Sequence, residues 1–407
     1  SDRNTFISAD KIFKAGNLKI DINGHFESAD NGLQNKSENI SNVTKENLGA
    51  GFALHKEMPR GTEFGFSALG DWYKRYSTIT GNASDIIEDY AKNVGLLYLE
   101  PELYFLWKNN GFSLKASAAY GLEYDASNSF EKTRAANRGD FSIDFGWKNS
   151  VANLYASAGI VAGNLIGDNS VVVPFTAGAD LGFTSSISSR KIKIGVKGGL
   201  DSFRSKISDS EKKYLFAAAR VLPEETSDWF ASSIMVLPVK DRFTLSAESE
   251  FRRTALGNGV FMPDYKTKKS LKDLYGQYVF EQEELTQFNT DFNFAVRLGK
   301  VNLSADWKSY WADVPSEKSN HFISANISFQ DAKARFGFDG KYGMSLDSDF
   351  DNVPEIDFEA FFRLTPAVRL AVSADDVVKL ITGGEREVAG EYISRSGTAS
   401  VLVKFFF

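Results

Sequence analysis

From about residue 17 to the end of the chain, apolar and polar residues alternate in segments of roughly 9–13 residues. That period of two is the signature of strands with two unlike faces. Leu18, Ile20, Ile22 and Phe26 share one face; Lys19, Asp21, Asn23 and His25 share the other. Leu97, Leu99, Leu103, Phe105 and Trp107 oppose Tyr98, Glu100, Glu102 and Tyr104. Phe141, Ile143, Phe145 and Trp147 oppose Asp140, Ser142, Asp144 and Lys148, and Ile356, Phe358, Ala360, Phe362 and Leu364 oppose Asp357, Glu359 and Arg363.

The connections alternate too. Short ones carry turn-forming residues, as in Lys108-Asn109-Asn110-Gly111, Pro238-Val239-Lys240-Asp241, Gly299-Lys300 and Thr365-Pro366. Long polar ones fall at about 29–45, 77–91, 125–137, 204–227, 253–285, 345–353 and 377–391. Short turns at one end and long loops at the other are the plan of a transmembrane β-barrel. The pattern predicts an all-β, antiparallel up-and-down barrel over 17–407 with about 18 strands and a range of 16–20, even in number if both termini lie on one side. The segment 213–222 reads as a further strand or as part of a loop. Residues 1–16 read as a short periplasmic segment outside the barrel or as a minimal plug.

Lipid, rather than a second sheet, is the expected partner of the apolar face. A tilted spanning strand needs about 9–11 residues, whereas soluble strands cluster near 5–6. The large amphipathic rings also sit toward strand ends, where an interface wets one end of the ring. Trp72 and Trp311 fall toward the long-loop rim and Trp107 and Trp147 toward the short-turn rim, and the reading places all six tryptophans at or near strand ends.

The last strand adds a specific feature. Gly397, Ala399, Val401, Val403, Phe405 and Phe407 alternate up to a terminal aromatic. In this the chain resembles bacterial outer-membrane barrel proteins, porin-like in plan. The resemblance implies an outer-membrane location, a signal peptide already removed, and Val403, Phe405 and Phe407 as the signal read by the barrel-assembly machinery. The run Glu391-Tyr392-Ile393-Ser394-Arg395-Ser396-Gly397 is similar to the approach to the last strand in the barrel of TonB-dependent transporters. That family's N-terminal plug has no counterpart here and the chain is short for its 22 strands, so no transport mechanism follows from the likeness.

Composition narrows the chemistry. Cysteine is absent, which removes disulfides, thiolate catalysis and zinc–sulfur sites. Phenylalanine reaches 34 against only 9 prolines, a balance that suits strands. The net charge of −6 argues against nucleic acid as a partner. Mean hydropathy is slightly negative, as expected where apolar residues occupy only every second position. With three histidines, His25, His55 and His321, and no G-x-S-x-G element, no enzyme is predicted. No cofactor or metal is predicted either. His25 and Asp21 share an inward face. The Asp347–Asp351 stretch is acidic enough to suggest calcium but reads first as a polar loop.

Parity turns Glu100, Glu102, Lys115, Lys193, Lys197, Glu248, Glu250, Arg297, Arg335, Asp357, Glu359, Arg363 and Arg369 inward. Both signs are present in similar number, so the expected lumen is polar, charge-balanced and at most weakly ion-selective. The longest loop, about 253–285, is the expected constriction, with Tyr275, Tyr278, Glu281, Glu283 and Glu284. The expected function is a channel for small hydrophilic solutes, with a structural or partner-binding envelope barrel as the alternative. The expected partners are outer-membrane lipid, the assembly machinery and either further copies of the chain or an envelope protein. The small-residue runs Ala116–Ala119 and Ala217–Ala219 give only a faint sign of oligomer contacts.

Overall fold

The computed structural model describes residues 3–35, 38–79, 93–127, 130, 134–164, 171–184, 190–213, 217–219, 221–239, 242–263, 278–313, 320–347, 353–387 and 394–405. One 20-stranded sheet dominates it. Its first part comprises β1 (Arg3–Ala15), β2 (Leu18–Asn35), β3 (Glu38–Met58), β4 (Thr62–Ile79), β5 (Val94–Asn109), β6 (Phe112–Asp125), β7 (Ala135–Lys148) and β8 (Ala152–Gly163). Then follow β9 (Val171–Val172), β10 (Phe175–Thr184), β11 (Lys191–Phe203), β12 (Thr226–Val239), β13 (Phe243–Leu256) and β14 (Thr286–Leu298). The last are β15 (Val301–Ala312), β16 (Asn320–Gln330), β17 (Phe336–Ser345), β18 (Glu355–Thr365), β19 (Val368–Asp375) and β20 (Thr398–Phe405).

Each strand pairs antiparallel with the next in the chain, except that β9 and β10 both lie against β8. Those two share one register, Val172 opposite Val161 and Phe175 opposite Ala158. They are a single row interrupted at Val173 and Pro174, where proline has no N–H to give the ladder. The rows from Leu18 to Phe405 therefore number eighteen, as the alternation predicts. The expectation for residues 1–16 is corrected. Arg3–Ala15 does not stand apart but forms β1, joined to β2 by a two-residue turn, Gly16–Asn17. The alternation Phe6-Ile7 and Ile12-Phe13 is broken by adjacent apolar pairs, which hid this strand from a period-two reading.

Hairpin chemistry holds the short rim. Asn110 and Gly111 both take positive φ, 46° and 86°, the geometry of a type I′ turn. A Cβ at Gly111 would collide with the Lys148 carbonyl. The opposite rim carries the long connections. One expected loop, 29–45, is instead mostly strand: β2 continues to Asn35 and β3 starts at Glu38, so this hairpin rises above the others.

One face of the sheet carries large exposed apolar side chains at every second position. Phe141, Phe292 and Trp307 are 46–47% exposed. A continuous apolar surface of this extent is that of a body whose solvent is lipid. Among the described residues β1 pairs only with β2 and β20 only with β19, and both run toward the short-turn rim.

Candidate functional site: the lumen and its inserted segment

The inner wall follows from parity. In β5, Leu99, Leu103 and Phe105 are exposed on the lipid face while Tyr98, Glu100, Glu102 and Tyr104 turn inward. Charged inward residues meet across strands. Lys115 reaches Glu102 at 3.1 Å, Lys308 reaches Asp291 at 3.4 Å, Lys341 reaches Asp357 at 3.5 Å and Arg369 reaches Glu359 at 3.0 Å. Arg252 links Glu250 at 2.7 Å to Asp201 at 3.6 Å. His25 does not pair with Asp21. It lies 3.6 Å from Asp71, while Asp21 lies 3.5 Å from His55, whose Nδ1 is 2.6 Å from the Tyr104 hydroxyl.

The long-loop half of this wall is occupied by the described residues between β11 and β12, 204–213, 217–219 and 221–225. This segment contains the short helix α1 (Ile207–Lys213). Although it leaves from β11, its side chains meet β2 through β7, which shows how far the sheet curls round on itself. Lys212 donates to Glu27 at 2.7 Å and Lys206 to Glu100 at 2.7 Å. The Ser208 backbone N–H donates to the Tyr98 hydroxyl at 3.4 Å, and Arg204 stands 3.9 Å from Glu123.

Glu211 is the centre of these contacts. It is wholly buried. Its carboxylate pairs with Arg75 and accepts from the Tyr73 hydroxyl at 2.6 Å and from the Ala219 N–H at 2.8 Å. Its carbonyl accepts from Lys45 Nζ at 2.6 Å. At the end of the segment Arg138 donates to Glu225 at 2.6 Å, and the Ser202 hydroxyl donates to the same oxygen at 2.7 Å. Burial raises the Glu225 carboxyl above its ordinary value of 4.5, against the pull of the Arg138 charge.

An apolar cluster closes over these polar ties. Ile207 and Leu222 of the segment pack with Leu96, Tyr73, Phe130, Phe261 and Phe280. Phe261 and Phe280 stack with ring centroids 4.7 Å apart. They come from Val260–Pro263 and Tyr278–Glu283, a strand pair inside the expected constriction loop. The described parts of that loop therefore pack against the inserted segment, and the described residues of 204–225 that lodge against the inner wall include part of the 213–222 stretch. Glu281 and Glu284 are exposed and Glu283 is half-buried; Tyr278 lies in the strand, and Tyr275 is outside the described residues.

Beside the inserted segment, on the β8–β15 side, a cleft of about 610 Å³ remains, lined by Tyr155, Asp180, Lys197, Glu248, Asp291 and Lys308 among others. Lys193 lies one pleat from Gly195 on the same strand face as Lys197. Arg297 is the penultimate residue of β14, at the short-turn rim. Arg335 is misplaced by the sequence reading: it stands before β17, in the 331–335 turn, 3.3 Å from Asp331. Of the tryptophans, Trp72 and Trp311 are exposed on the lipid face toward the long-loop rim, and Trp107 and Trp147 fall near the short turns. Trp307 departs from the strand-end expectation, sitting mid-strand in β15 stacked on Phe292 at 5.5 Å. Val403 is exposed in β20 and Phe405 ends that strand; Phe407, residues 391–393 and most of the 347–351 stretch lie outside the described residues.

The chain has the fold of solved outer-membrane proteins. It superposes on the copper transporter OprC with a TM-score of 0.69 at 8% identity, covering 100% of this chain and 72% of that one. The siderophore receptor PirA from Pseudomonas aeruginosa gives 0.64 at 9% identity, covering 100% and 71%. The FrpB iron transporter from Neisseria meningitidis (F3-3 variant) gives 0.67 at 8% identity, covering 99% and 71%. The chain has the fold of an outer-membrane β-barrel. At such identities the likeness is one of fold, and these barrels belong to transporters and receptors. No protein-family model matches the chain and no curated protein is similar to it in sequence.

What the barrel's sequence hid was the inserted segment, though it left one sign. Val94 and Leu96 have inward parity in β5 yet are apolar, and both are buried. Apolar residues on an otherwise polar inner face mark a place that something covers.

Proposed function

We propose that this outer-membrane barrel is a channel for small hydrophilic solutes, narrowed at its long-loop end by residues 204–225. The observation that carries the reading is the division of the lumen. The inserted segment is tied to β2–β7, while the β8–β15 side keeps a cleft lined by charged, hydroxyl and amide groups. The hydrogen-bonding and charged groups of such a wall replace part of a solute's hydration. Liposome swelling with uncharged sugars of increasing size tests it. Entry of small sugars and exclusion of large ones supports a narrowed channel. No entry of any sugar, with the barrel shown to be folded by heat-modifiable migration, contradicts it.

A second reading, a barrel that anchors or is completed by an envelope partner, has one observation in its favour. The edges of β1 and β20 each pair on one side only among the described residues, and unpaired strand edges are templates for another chain. A protein that copurifies stoichiometrically and is lost on substitution in β1 would favour it.

A further inference from the structure

The lumen's charges are mixed overall but not evenly placed along its axis. At the short-turn rim, Arg363 of β18 lies directly opposite Arg369 of β19, and Arg369 directly opposite Lys404 of β20. On the other flank, the Arg363 backbone N–H donates to the Arg335 carbonyl. Like charges directly opposite one another destabilise a sheet, and here three stand in a row across three strands.

One described carboxylate enters the row, Glu359, 3.0 Å from Arg369. The Arg369 guanidinium carbon lies 3.8 Å from the centroid of the Phe361 ring, a cation–π contact that helps hold it at the wall. Neighbouring strands stand about 4.8 Å apart, so the row spans roughly twice that. This suits a solute with more than one anionic group better than a single-charge ion.

We propose that Arg363, Arg369 and Lys404 form a binding site for a small polyvalent oxyanion, carrying phosphoryl or carboxylate groups, at the short-turn mouth of the lumen. Guanidinium groups donate in pairs to either oxyanion, and a one-signed patch in a concave wall concentrates counter-ions. The site gives the mouth an anion preference that a whole-lumen charge count conceals.

The test is calorimetric titration of the purified full chain in detergent with sodium pyrophosphate at low salt, and with citrate in parallel. This readout needs no conduction, so its failure leaves the channel reading standing, and failure of the swelling assay leaves this site standing. The expected result is saturable binding that weakens at least ten-fold in Arg363→Gln/Lys404→Gln and is unchanged in Lys148→Gln, a cation elsewhere on the same rim. Glu359→Gln, which frees Arg369, is expected to tighten binding several-fold, an effect a misfolded barrel would not show. Tighter pyrophosphate than citrate marks a phosphoryl-selective site; equal affinity marks one that reads charge alone. Either supports the proposal. Absence of saturable binding by either ion to the folded wild type, or equal binding by wild type and the double variant, overturns it.

Discussion

Arg75 on the inner wall of β4 and Glu211 in the inserted helix form an ion pair removed from water, with 6% and 0% of their side-chain surfaces exposed. The pair joins elements 136 residues apart in sequence. Removing one member of a buried pair leaves a charge uncompensated, at a cost of about 3–5 kcal/mol. Glu211→Ala is therefore expected to unseat residues 204–225 while the barrel stays folded. Limited proteolysis checks it: cleavage between 204 and 225 should accelerate at least ten-fold with heat-modifiable migration unchanged.

The apolar side of the same seat gives an independent expectation. Ile207 is fully buried against the cluster with Leu96 and Phe280. Ile207→Ala removes that packing at a cost of about 2–5 kcal/mol. The expected outcome is the same accelerated cleavage, and larger solutes entering liposomes than with the wild type.

Seating should also depend on pH. The Glu225 carboxyl is raised above 4.5 by burial, with Arg138 and Arg204 pulling it down and Asp140 adding to the rise. The seated state holds this proton to higher pH than the released state does. Its contribution is therefore fully present at low pH and falls as pH rises from the ordinary carboxyl value through the raised one. In Arg138→Gln the fall should be steeper and extend to higher pH. Proteolysis rates of the segment between about pH 4 and 8 would show it.

Adjacent positions in β7 separate the two faces. Phe141 is exposed on the lipid side, and the Ser142 hydroxyl lies 2.7 Å from that of Ser117 on the inside. Phe141→Lys places a charge in hydrocarbon at about 2–4 kcal/mol and should lower the unfolding temperature of the barrel markedly. Ser142→Lys should leave it nearly unchanged. Equal effects would mean that the assigned faces are wrong.

The strands were legible because lipid on one side and water on the other impose a strict period of two. That condition set the eighteen rows from Leu18 onward and the lumen positions of Glu100, Lys115 and Glu359. It lapses where the surroundings change. In β1, Phe6 and Ile7 are both exposed and adjacent, so parity gave no strand. The described residues of 204–225 follow no period of two, because most of their contacts are to partners far away in sequence, as Lys212 is to Glu27. Arg335 was read as wall because the alternation continues through Ala334, yet Ala334 takes a positive φ of 50° and turns the chain.

Single-channel recording in a planar bilayer, on the wild type and on Glu211→Ala, tests most directly whether the lumen conducts beside the inserted segment. Small, stable conductance steps are expected for the wild type and larger ones for the variant. A wild type that is silent while folded, with the variant equally silent, would contradict it.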